Sequence, residues 1–370
     1  MPTESPLLGL PGAVAGSGLD AGVAAHYGNP VAEQRRLLDG SAVAELPRGV
    51  VTVTGADRLS WLDSLTSQRL TGLGAAESAE SLLLDPNGRL EHDLRVVDDG
   101  ATAWIVVERA EALPLAAFLD RMRFMLRVEV ADVSERVAVL GSFAEADIPV
   151  GPALARWVDP WRSGSTGGAS YVTAAEHPAA EWTWSETVIE RSGLDDAAAL
   201  RARGELAVAG MLAVEALRIA AWRPRVGAET DERTIPHELD WLRSAVHLSK
   251  GCYRGQETVA KVLNLGRPPR RIVLLNLDGS DNLAVGAGDL VLDPATGTEV
   301  GRVTSAGLHH ELGPIALAVI KRQVAEDLTL LVRTENGSVA AAQEVIVPSG
   351  AGPALTDLPK LPRVGAKPRR

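Results

Sequence analysis

The chain reads as a mixed α+β protein ending in a small all-β unit. Apolar alternation and helix-spaced runs are intermixed in the order β-α-β-β…β-α-β, without the regular βα alternation of a parallel sheet. Beyond residue 270, short strands separated by Gly, Asp and Pro turns make up about 80 residues, enough for a small barrel or sandwich. Between the two, Gly266-Arg267-Pro268-Pro269-Arg270-Arg271 has the composition of a linker.

Val50–Thr54 is a β-branched strand stopped by Gly55. Leu59, Leu62 and Leu65, joined by Trp61, then share one face of a helix over Asp57–Gln68. Leu82–Leu84 is a buried strand run, and Asp85-Pro86-Asn87-Gly88 is a tight turn, because Pro fixes φ and Asn-Gly accepts positive φ. The return strand covers Arg89–Val97, a third covers Ala103–Val107, and a helix follows over Glu111–Met125 with Leu113, Phe118, Leu119 and Met122 apolar. Strands are expected at Leu126–Val130 and Val137–Leu140, a flexible loop at Arg162–Ala169, and helices at Ala197–Arg203 and Met211–Ala221. The terminal unit comprises Ile272–Leu277, Asp289–Leu292, Glu299–Ser305 and Ile315–Ile320. Residues 1–25 read as a flexible leader, 26–265 as the main region, 266–348 as the β unit, and 349–370 as a disordered basic tail. There is no internal repeat.

Composition narrows function. The chain has 370 residues, 46% of them hydrophobic, ample for two or three domain cores. Its bias toward Ala, Gly, Val and Arg is that of a high-GC bacterial genome. The net charge of −11 argues against broad nucleic-acid binding, which needs a positive face to displace counterions. The first 20 residues lack the positive n-region of a secretory signal, and no apolar run approaches the ~20 residues that cross a bilayer. A single cysteine suits a reducing compartment, so a cytoplasmic protein without membrane contact is expected. In that setting Asn336-Gly337-Ser338 reads as a turn.

Familiar sites are absent: no glycine-rich phosphate loop, no H-E-x-x-H and no G-x-S-x-G. His309-His310-Glu311 has no second cluster at ligand spacing, so no metal site is expected. Two places carry polar chemistry. One is the hairpin strand Leu90-Glu91-His92-Asp93-Leu94-Arg95, where alternation puts Glu91 and Asp93 on one face and His92 on the other. The other is the turn-rich stretch from Arg223 to Glu257, ending in Lys250-Gly251-Cys252-Tyr253-Arg254-Gly255-Gln256-Glu257. Two glycines make that backbone too irregular for a packed helix interior. Flanking Lys250 and Arg254 favour a thiolate at Cys252, and the competing reading is a buried cysteine acting as a small hydrophobe.

This octapeptide resembles the K-G-C-Y-x-G-Q-E signature of the YgfZ-type folate-binding proteins, relatives of the glycine-cleavage T-protein (aminomethyltransferase). Asp85-Pro86-Asn87-Gly88-Arg89 with Asp93-Leu94, Ala216-Leu217-Arg218-Ile219 and Gly301-Arg302-Val303-Thr304-Ser305 extend the likeness over about residues 26–345. The resemblance implies a three-domain ring of mixed and antiparallel sheets around a central channel, closed by a C-terminal β-barrel, with 26–265 forming two interleaved α+β domains. It implies tetrahydrofolate, or a one-carbon derivative, as the small-molecule partner. It further implies a monomeric accessory protein, not a conventional enzyme, that helps make or repair iron–sulfur clusters in client enzymes, including one that thiolates tRNA. Cys252, Lys250 and Asp93 are then the reactive groups, with Tyr253, Arg254, Gln256, Glu257, Arg223 and Arg225 around the folate. Arg223 and Arg225 would meet the carboxylates of the glutamate tail; surface salt bridges are the other reading of that pair. Two positions depart from the T-protein: Ala220 stands where a carboxylate anchors the pteridine, leaving Glu229 or Glu238 as substitutes, and His92, beside the retained Asp93, stands where the T-protein often has another Asp. The alternative function is a folate-dependent aminomethyl or one-carbon transferase in which Asp93 assists. A third is a binding scaffold that has kept the fold and lost the ligand.

Overall fold

The computed structural model describes residues 5–143, 148–174 and 177–353. In chain order it contains β1 (Val14–Ala15), β2 (Ala24–His26), α1 (Pro30–Leu38), β3 (Ala42–Leu46), β4 (Arg48–Thr54), α2 (Arg58–Leu65), β5 (Ser78–Leu84), β6 (Leu90–Asp98), β7 (Thr102–Glu108) and α3 (Ala112–Met122). There follow β8 (Glu129–Asp132), β9 (Val137–Ser142), β10 (Ala153–Val158), β11 (Ser185–Glu190), α4 (Gly193–Ala202), β12 (Ala207–Ala209), α5 (Met211–Ala220) and α6 (Gln256–Leu265). The last unit holds β13 (Arg270–Leu277), β14 (Leu290–Leu292), β15 (Glu299–His309), β16 (Gly313–Lys321), β17 (Leu330–Thr334) and β18 (Gly337–Val345).

The fold is mixed α+β. One five-stranded sheet runs β5-β6-β7-β4-β8, a second runs β10-β11-β9-β3-β12, and the last six strands close a barrel in the order β13-β16-β15-β14-β17-β18. The sheets interleave in sequence, since β3 joins the second before the chain builds the first. Among the described residues only β12 pairs parallel, with β3. One apolar cluster joins both sheets, α5 and the barrel, and includes Trp157, Trp161, Trp182, Trp184, Trp222 and Trp241. Six of the eight tryptophans therefore sit in the shared interior.

Several boundaries move, each for a physical reason. The leader is not loose from Ser5 onward: Leu7 is buried, β1 pairs with β2, and Asp20 meets Arg225. The helix begun at Arg58 stops at Leu65, because the carbonyls of Asp63, Thr66 and Gln68 are taken by Lys250. α3 ends at Met122, and the next strand begins only at Glu129, after Phe124 turns through φ 46°. The Arg162–Ala169 loop is pinned, with Ser165 and Ala169 donating backbone N–H groups to the carbonyls of Arg243 and Leu242. Arg270 and Arg271, expected in a linker, open β13. The expected basic tail beyond residue 353 lies outside the described residues.

Candidate functional site

Cys252 is exposed on the loop that leads into α6. Its neighbours are held firmly. Lys250 Nζ donates to the carbonyl oxygens of Asp63 (2.5 Å), Thr66 (2.7 Å) and Gln68 (2.8 Å), so it caps the end of α2. Burial pushes the Lys250 ammonium down to about 8, against the pull of Asp63. Lys250 also lies 5.4 Å over the Tyr253 ring. Tyr253 is buried, its hydroxyl has no hydrogen-bond partner, and burial raises its pKa. Arg254 pairs with Glu91 at 2.5 Å and covers the Phe118 ring of α3. Gln256 is buried and donates weakly to the Gly251 carbonyl at 3.4 Å, whereas Glu257 is exposed in the first turn of α6.

The structure brings the two signature segments together. Gly255 adopts φ 83°, and a Cβ there would meet the Asp85 carbonyl oxygen at 2.6 Å and Gly88 Cα at 3.0 Å. Gly88 in turn would strike Thr258 at 2.7 Å. The Asp85–Arg89 turn is itself built by Asp85, whose Oδ1 accepts from the N–H groups of Asn87 and Arg89. The thiol is thus carried on a loop clamped between the end of α2 and the tip of the β5–β6 hairpin.

Asp93, Arg223 and Arg225 belong to a different constellation. α5 ends through Trp222 at φ 59°, which turns Arg223 into the interior. Arg223 donates to Glu80 (2.5 Å) and Asp159 (3.0 Å) and lies over the Trp161 ring. Burial opposes its charge, yet Asp159 and Glu80 hold its pKa above the ordinary value; burial in turn raises both carboxylates. Arg225 meets Asp20 (2.8 Å), Glu108 (3.0 Å) and Glu215 (3.1 Å). Arg218 binds Glu215, Glu229 and the Ser305 hydroxyl of the barrel. Although burial works against it, Arg218 and Arg225 hold the Glu215 carboxyl at about 2. Arg48 links Glu108 to Glu186, and Arg95 lies 3.2 Å from Asp93 without hydrogen-bond geometry.

Arg223 and Arg225 are therefore neither surface salt bridges nor free arms for an incoming carboxylate. Neither expected substitute for the pteridine anchor is open: Glu229 is taken by Arg218, Thr304 and Ser305, and Glu238 by Arg270. Asp93 is buried, while His92 faces the other way and approaches Glu111 at 3.5 Å. Sequence reading missed Arg48, Glu80, Arg95, Asp159 and Glu186 as members of the network. The available signal was charged residues at inward positions of apolar strands, such as Glu80 within Ser78–Leu84.

Comparison with known proteins fits this architecture. Residues 270–347 match the glycine cleavage T-protein C-terminal barrel domain. The tRNA-modifying protein YgfZ of Escherichia coli O157:H7 is 25% identical over 228 residues, 61% of this chain and 68% of that protein. A putative chloroplastic transferase of Arabidopsis thaliana is 23% identical over 307 residues, 78% of this chain and 67% of the relative. The crystal structure of glycine cleavage system aminomethyltransferase T from Bartonella henselae superposes with a TM-score of 0.70 at 19% identity, covering 91% of this chain and 94% of the other. The chain is thus similar to the YgfZ proteins and has the fold of the T-protein, with its C-terminal barrel domain.

Proposed function

We propose that this chain is an accessory protein for iron–sulfur cluster assembly or repair, with Cys252 as its functional thiol and tetrahydrofolate as its small-molecule partner. The observation that carries the reading is the exposure of the sole cysteine on a loop braced on both sides. A thiol that meets a client's sulfur or cluster must be reachable and well placed. One thiolate cannot hold a cluster alone, since four cysteine ligands are usual, so contact with the cluster is shared with the client. The tRNA-modifying role in the name of the Escherichia coli relative suits a client that thiolates tRNA.

For the folate, the donor and acceptor set is suitable. Glu80 Oε2 and both Asp93 oxygens are buried acceptors without hydrogen-bond partners, and Arg95 Nη1 and Arg223 Nη1 are donors in the same state. These residues would take a pteridine's amino and ring N–H groups and its carbonyl; when bound, reduced folate supplies one-carbon chemistry. The space enclosed by Arg95, Asp159, Arg223 and Arg225 is only about 20 Å³, room for about one water. Binding therefore requires the Arg223 ion pairs to open. In cells lacking this protein, wild type should restore the activity of iron–sulfur enzymes and Cys252→Ala should not. Full rescue by Cys252→Ala would defeat the proposal.

A further inference from the structure

A cavity of about 470 Å³ lies under the N-terminal segment, away from the residues discussed above except Arg48 at its edge. That volume is typical of small-molecule sites. Its walls are apolar: Leu8 and Val23 come from the N-terminal segment, Leu46 from β3 and Val139 from β9. Four charged residues line it, Glu45, Arg48, Arg109 and Arg191, of which Arg48 is committed to Glu108 and Glu186. Glu45 is the one charged residue of the otherwise apolar strand Ala42-Val43-Ala44-Glu45-Leu46, and it accepts a hydrogen bond from the Ser5 hydroxyl. Burial lifts its carboxyl to about 7 even though Arg191 and Arg109 are close enough to pull it down. A buried carboxyl beside two guanidiniums in an apolar recess is the signature of a binding site.

Two other cavities differ. The groove of about 440 Å³ between residues 228–233 and the barrel is lined mainly by polar and charged residues and lacks the apolar walls. The recess of about 360 Å³ on the barrel carries no cation among its lining residues.

We propose that the cavity beneath the N-terminal segment binds a small amphiphilic anion: a carboxylate attached to a flat apolar body about two rings wide. Arg109 meets the carboxylate, the four apolar walls enclose the body, and the Glu45 carboxyl supplies a hydrogen bond to a polar substituent. Arg109 can be redirected at little cost, because its present partner Glu135 is 65% exposed, and such surface pairs contribute about 0–1 kcal/mol. Residues 5–23 form one wall of the site, which gives a reason for an otherwise loop-like segment to be fastened down by Ser5, Leu7 and Asp20.

The test is calorimetry on the full chain with 1-naphthoate, with the uncharged 1-naphthalenemethanol as its control. The expected result is saturable 1:1 binding of naphthoate, with the alcohol about tenfold weaker, as a lost charge-assisted hydrogen bond predicts. Arg109→Ala should weaken naphthoate by a similar factor, and Ala21→Trp, at an exposed rim position, should block it. Equal affinity for acid and alcohol would overturn the proposal, as would no naphthoate binding up to millimolar concentration or indifference to both substitutions. The acid–alcohol comparison needs no variant, so it stands even if a substituted chain misfolds.

Discussion

Lys250 shows how a residue can carry a motif without touching its chemistry. Its place two residues before Cys252 marks it as a cation for the thiol, yet its ammonium is spent on three carbonyls around the end of α2. Local spacing cannot reveal this, because those carbonyls lie more than 180 positions earlier in the chain. Removing the ammonium leaves buried acceptors unpaired, at about 1–3 kcal/mol. Lys250→Met should therefore lower the free energy of unfolding by about that much in urea titration, whereas an exposed Cys252→Ala should stay within about 0.5 kcal/mol. A Lys250→Met protein as stable as wild type would refute the capping role. Arg223 teaches the converse: its charge suggested a ligand arm, and only three-dimensional structure shows Glu80 and Asp159 waiting for it.

Elements were legible where a local rule decides them and illegible where a distant partner does. The Asp85–Gly88 turn and the helix over 211–221 follow from turn chemistry and apolar spacing, and the structure has α5 over Met211–Ala220. Four strands of the terminal unit, β13 to β16, were equally plain, whereas β17 and β18 were not anticipated. By contrast, β10, β11 and β12 and the helix α6 were not anticipated, because their apolar residues face a shared interior on several sides and show no clean period. The contact between the hairpin tip and the Cys252 loop was also invisible, although both segments were singled out. It depends on Gly255 lying against Asp85 and Gly88. Gly255→Ala should cost about 1–2 kcal/mol for the left-handed backbone alone, with a further cost from the clash. Its readouts are a lower melting temperature and a changed alkylation rate at Cys252; no change in either would show that the clamp is unimportant.

At the scale of the whole molecule, the ion network joins the two sheets, α5 and the barrel through Glu80, Glu186, Arg218 and Ser305. The ring and its channel were expected from family likeness, but the interior is filled with paired charge and tryptophan in a way that composition alone could not place. This charge also sets the pH response. Burial holds the carboxyls of Glu45 and Asp240 at about 7, above their ordinary values of 4.5 and 3.8. Between about pH 7 and those values the folded state carries protons that the unfolded chain has lost, so stability falls as pH rises through this window. Glu215, held at about 2, acts oppositely: its contribution is complete above pH 4.5 and is lost as pH falls toward 2. His177 and His237, which burial holds down to about 4, act the other way between about pH 4 and 6.5, so the Glu45 contribution is read as a difference: in urea titrations the stability of wild type relative to Glu45→Gln should fall between about pH 4.5 and 7. A difference between wild type and Glu45→Gln that stays constant over that window would contradict this assignment.

The account rests on the sulfur of Cys252 being open to solvent while its loop stays clamped. Treating the native protein with iodoacetamide and following its mass measures this directly. The structure predicts one adduct, formed in the folded state at a rate close to that of the urea-unfolded chain. A thiol that remains unmodified until the protein is unfolded would contradict it.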